Sequence, residues 1–269
     1  MPVRLVVTLK RFFPILLGLA WPSSAQDILE TTDFDWLGKQ VFRNECDSEP
    51  ACLTSWNAGE DFPSLGIGHF IWFRTGQQEI FEETFPQLLL FLKHRQVSLP
   101  SWLQNSADPN NPWPNRAAFN AAKQSKQMRE LRMFLLKTSS LQAEFIVSRF
   151  TKTQDEIVFS FPPNERSKAR RTMQGLAAID PPYGQYALID YLHFKGSGLN
   201  SAEQYRGMGW GLKQVIAEML DTELSLYHFV EAGIKVLDQR ISNAPVERSE
   251  TRWREGWHNR LLSYLPSTN

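Results

Sequence analysis

Phe34, Leu37, Val41 and Glu45 recur at helical spacing, which sets a carboxylate at the end of an apolar helix face and turns it the way the core turns. Thr32, with Asp35 three residues on, is the expected cap of that helix. The next thirty residues narrow the fold further. Cys46 and Cys52 come first, then the turn Ala58-Gly59-Glu60-Asp61, then a stretch from Ser64 to Phe73 rich in β-branched, aromatic and glycine residues. That composition predicts a short hairpin ending at Gly76, with Gly66 and Gly68 allowing close approach of a ligand or another strand.

Beyond the hairpin the periodicity predicts only helices and loops. Pro86 is suited to the first helical position of a helix over 87–93, and further helices are expected over 116–137, 141–152, 163–179, 183–194, 211–220, 223–241 and 248–265. The asparagine- and proline-rich stretch 105–115 reads as a loop inside one domain. The expected class is therefore α+β, mostly helical, with residues 26–269 forming one domain.

Residues 1–25 are set apart. Arg4, Lys10 and Arg11 precede the apolar run Phe12 to Ala20 and the small-residue end Ser23-Ser24-Ala25, the pattern of a removable export signal. The run is too short to span a bilayer, and no later segment is apolar enough, so a periplasmic or secreted protein without a membrane span is expected. The whole chain carries 29 basic and 29 acidic residues, and loss of those three basic ones leaves a formal charge of −3. That balance argues against a nucleic-acid partner. In an oxidising compartment Cys46 and Cys52 are expected to pair, stiffening the turn that leaves the glutamate's helix. His69, His94, His193, His228 and His258 show no cysteine or carboxylate at ligand spacing, so neither a metal nor another cofactor is expected.

A carboxylate on a partly apolar wall and a second on a wetter turn form the pair that glycoside hydrolysis uses, one kept protonated and one ionised. The strand Gly66-Ile67-Gly68-His69 after the Glu45 helix resembles that of the lysozyme superfamily, nearest the phage-type lysozymes. Ala187-Leu188-Ile189 followed by Gly196 is similar to that family's central helix, and Arg252-Trp253 with Gly256-Trp257 to its aromatic C-terminal helices. The likeness covers roughly 34–73 and 183–264. It implies a lysozyme-like fold, with a small β-hairpin lobe and a larger helical lobe, and a polysaccharide substrate, peptidoglycan first and chitin or chitosan after it.

Carried over position by position, the resemblance makes Glu45 the general acid, Ser64 the holder of the attacking water and His69 the close of the motif strand. The second carboxylate is Glu60, four residues before Ser64, with Asp61 as its competitor or as a turn cap. General acid work requires burial against residues such as Phe42 and Trp56 to raise the Glu45 pKa. Trp72 and Trp210 are candidate groove walls, and Asp190, His193 and Lys195 candidate substrate contacts on the central helix. Three other readings stand beside hydrolysis: a lytic transglycosylase needing one glutamate, a non-catalytic peptidoglycan-binding or scaffolding protein of the same fold, and an inhibitor or accessory partner of secretion machinery that locally opens the wall.

Overall fold

The computed structural model describes residues 33–79, 81–104 and 110–266, so the expected export segment and the cap at Thr32 lie outside the described residues. Helix α1 (Phe34–Cys46) is capped by Asp33, whose carboxylate accepts from the Trp36 amide at 2.9 Å. The helix ends at Asp47, which is in the left-handed region. A 3-10 turn (Pro50–Leu53) leads to a three-stranded antiparallel sheet, β1 (Thr54–Ser55), β2 (Ser64–Leu65) and β3 (Phe70–Ile71), in sequence order. Ser55 faces Ser64, and Ser64 faces Ile71. The hairpin expected over 64–73 is thus the second half of a small sheet, whose first strand comes from the segment after Cys52.

The rest of the chain is dominated by helices: α2 (Phe85–His94), which takes Pro86 in its first turn, α3 (Ser101–Gln104), α4 (Arg116–Ala121), α5 (Lys126–Lys137), α6 (Ser139–Phe159), α7 (Arg166–Ala177) and α8 (Tyr183–Lys195). A two-stranded ribbon, β4 (Gln204–Tyr205) and β5 (Met208–Gly209), precedes α9 (Leu212–Glu218), α10 (Leu226–Asn243) and α11 (Arg254–Leu262). The single helix expected over 116–137 is broken at Ser125, whose hydroxyl caps α5 by accepting from the Met128 amide. At the end of the chain, 3-10 turns occupy 246–253 and shorten the last helix.

The long helix α6 packs against α1, α2, α7, α8 and α9 and is the centre of the assembly. Gly38 brings α1 close to it, since an added Cβ would lie 3.3 Å from the Ser139 carbonyl oxygen. Helix α8 is buried on every side from Gly184 to Tyr191, which is why its apolar residues show no single stripe. The architecture is mostly helical with small antiparallel sheets, as the α+β class requires.

Candidate functional site

Glu45 is the penultimate residue of α1, and its side chain, 15% exposed, lines a cleft of about 640 Å³ together with His69, Phe70 and the α8 residues Leu192 and His193. The turn between β2 and β3 brings His69 there. Its backbone takes a positive φ of 46°, and its Nδ1 lies 3.4 Å from Glu45 Oε2. Gln142, wholly buried on α6, holds the turn: its Oε1 accepts from the Ile67 amide at 2.9 Å, while its Nε2 donates to the Leu135 carbonyl and Thr138 Oγ1. The close approaches expected at the two glycines are therefore to protein. A Cβ on Gly66 would sit 2.3 Å from Gln142 Oε1, and one on Gly68 3.1 Å from the His193 ring.

Behind Glu45 lies a residue that no sequence motif marks. Arg260 of α11 places Nη2 2.6 Å from Glu45 Oε1, and it donates through Nε and Nη2 to the two oxygens of Asp190, each at 2.9 Å. Tyr264 donates its hydroxyl to Asp190 Oδ2 at 2.7 Å, and the guanidinium lies over the Phe194 ring at 4.1 Å. Asp190 is fully buried and has both oxygens engaged, so the structure makes it the anchor of Arg260 and takes it out of contact with a substrate. The only local hint of Arg260 is an arginine set beside buried Leu261 and Tyr264.

This network corrects the pKa expected for Glu45. Burial pushes the carboxyl up, but Arg260, His193 and His69 together outweigh it and hold it below the usual carboxylate range. Glu60 goes the other way. Burial raises it, and neither its 3.2 Å hydrogen bond from Asn57 nor the field of His69 cancels that rise. Trp56 fixes the acidic turn, donating its indole N–H to the Glu60 carbonyl at 2.8 Å. His193 is held below its ordinary value by burial, with Glu45 opposing, which favours a neutral ring on the cleft wall.

The remaining candidates fall elsewhere. Asp61 is exposed, and Ser64 is buried within the sheet, where its hydroxyl has little reach to cleft water. Trp72 has no exposed surface and packs against Phe85, Trp102 and Trp113. Trp210 packs against Tyr205 and lies under the Arg240 guanidinium, 4.0 Å away. Both indoles are core residues rather than groove walls, because apolar neighbours already cover their faces. Lys195 is also buried, its Nζ 3.9 Å from the Phe194 ring and 3.6 Å from that of Trp257. Burial, then Arg240 and Arg260, lower its pKa to about 6, against the pull of Glu250 and Glu45. It faces aromatic rings, not the cleft. Cys46 and Cys52 are at disulfide distance, 2.16 Å between sulfurs, on the far side of His69 from Glu45.

Glu45, His69 and His193 are thus brought together, while Glu60 stands outside the lining of the cleft and is linked to it only through the field of His69. Comparison of the chain with family models, with curated proteins and with solved structures returned no match.

Proposed function

We propose that this chain is an exported glycoside hydrolase of lysozyme-like design, cutting an amino-sugar polymer, peptidoglycan above all. The observation that carries the reading is the placement of Glu45: a largely buried carboxylate at a helix end, opening on a cleft that it lines beside His69, Phe70 and the α8 residues Leu192 and His193. A groove of that size accepts sugar rings, and a carboxyl at its floor is within the chemistry of glycosidic oxygen protonation.

At rest Glu45 is anionic, so it must take a proton from solvent as the substrate closes over it. A sugar that displaces water from the cleft strengthens the desolvation that already raises this carboxyl, while Arg260 keeps its two bonds to Asp190. Glu60, the carboxyl already pushed up, stands outside the cleft lining and serves as partner only to a bound chain that extends past His69, while Glu45 in the cleft is the donor. A lytic transglycosylase differs only in the final acceptor, a sugar hydroxyl instead of water.

The test is to incubate the mature chain, Glu45→Gln and Glu60→Gln with peptidoglycan and with chitosan, and to identify the soluble products. Turnover in the parent should fall about 10²–10⁴-fold in the variant that has lost the acid, and 1,6-anhydro ends would identify the transglycosylase route. A second reading, binding without turnover, draws on the 2.6 Å Arg260–Glu45 contact, which neutralises the carboxylate within the fold. Binding to insoluble peptidoglycan with no release of soluble sugar by the parent would sink the hydrolase and leave that reading.

A further inference from the structure

Cys46 Sγ, Cys52 Sγ and a ring nitrogen of His69 all lie within 4.8 Å of one another, although His69 is 17 residues from the nearer cysteine. His69 Nε2 is 3.3 Å from Cys52 Sγ and 3.9 Å from Cys46 Sγ. In a tetrahedral zinc site with ordinary bond lengths, a thiolate sulfur and an imidazole nitrogen stand about 3.6 Å apart and two thiolates about 3.8 Å apart. The two sulfur–nitrogen spacings already bracket that value. Only the sulfurs would have to part, and the exposed loop 47–51 that joins them has few packed neighbours to resist it.

The other ring nitrogen of His69 adds an independent indication. Nδ1 faces Glu45 Oε2 at 3.4 Å, so the imidazole is presented Nε2-first to the sulfurs with a carboxylate behind it. This is the carboxylate–histidine–metal order that fixes the tautomer and raises the basicity of a ligating histidine. Cys52 and His69 are both partly exposed, which leaves a route for a reductant and for an ion.

We propose that Cys46, Cys52 and His69 form a two-state site: a disulfide when oxidised, and a soft divalent-metal site, with zinc as the natural occupant, when reduced. A dithiol reductant attacks the disulfide, gives up two electrons and two protons, departs as its own cyclic disulfide, and leaves two thiols. Binding of M²⁺ then displaces two protons, so that two thiolates and the neutral His69 Nε2 hold the ion, and its fourth position is open to water. The inference stands whether or not the cleft cuts a glycan.

The experiment uses the full mature chain, reduced with a phosphine under anaerobic conditions and titrated with Co²⁺ as a spectroscopic probe, with Zn²⁺ added afterwards. The reduced protein should take up one equivalent of Co²⁺ with a near-ultraviolet thiolate-to-metal charge-transfer band, and Zn²⁺ should bleach it. The disulfide form should show no such band. His69→Ala should lose more than about tenfold in affinity, since even outer partners of a ligand are worth roughly 10–100-fold. Absence of the band in the reduced parent overturns the proposal, as does a band of equal affinity in His69→Ala. Should that variant fail to fold, the contrast between reduced and oxidised parent decides alone.

Discussion

Two arginines near the C-terminal end are built from the same parts and end in different places. Arg240 makes a two-point bond to the buried carboxylate of Glu250, Tyr205 donates its hydroxyl to that carboxylate, and Trp210 and Trp257 lie beneath the guanidinium. Arg260 repeats the pattern with Asp190, Tyr264 and Phe194. The difference is the third partner. Arg260 reaches on to Glu45 in the cleft, whereas the further ion pair at the other knot joins Glu250 to Arg248, a largely exposed arginine, at 3.9 Å. Lys195 stands between the two, its Nζ shared by one ring from each. A buried ion pair thus becomes part of a site when one edge of its charge is left to hold a group that faces solvent.

Breaking each knot should expose that asymmetry. Arg260→Met strands the fully buried Asp190 and deprives Glu45 of its partner, and should cost about 3–5 kcal/mol of stability. Arg240→Met should cost less, because Arg248 remains beside Glu250. Denaturant unfolding of both variants checks the order, and a larger loss in Arg240→Met would reverse the comparison. The sign with pH is set by the lowered carboxyls. Glu45 and Glu250 both sit below the usual carboxylate range, so their contribution is present above about pH 4.3 and is lost as pH falls through their folded values.

A finer cut removes only the tyrosine hydroxyls. Tyr264→Phe should cost about 1.5–3 kcal/mol, the range for a hydrogen bond to a charged group. Tyr205→Phe should fall at or below the low end, since Tyr205 is partly exposed and water can replace its hydroxyl. Equal losses in thermal unfolding would show that the two carboxylates are equally well solvated. The smallest change tests the bridge. A folded-state pKa of about 6 for Lys195, against about 10.4 in the unfolded chain, means that the unfolded state binds the extra proton between those values, so parental stability climbs with pH across that window. Lys195→Met removes the slope and should be more stable than the parent at pH 7, a gain that shrinks toward pH 10. A pH-independent difference between the two proteins would place the lysine in water.

Much of the architecture around the cleft is legible from local pattern. The buried stripe of α1, the glycine turn, the pairing of two cysteines and the proline that opens α2 each depend on residues a few positions apart. The break at Ser125 is not, because a capping serine inside a helical pattern also reads as an ordinary surface residue until its neighbours are known. The tryptophans mislead for a related reason: a large aromatic serves a core or a groove equally well, and only the burial of Trp72 and Trp210 separates the two.

Local pattern is enough to place Glu45 at the end of an apolar helix face and to lay out the turn and strand residues after it, because helix and hairpin periodicities are short-range properties. Tertiary structure alone decided the direction in which that carboxylate's pKa moves and the company of His69. Arg260 meets Asp190 across 70 positions and Gln142 holds the Ile67 amide across 75. Electrostatic fields fall with distance in space and with the water removed around them, and neither quantity exists until the chain has packed.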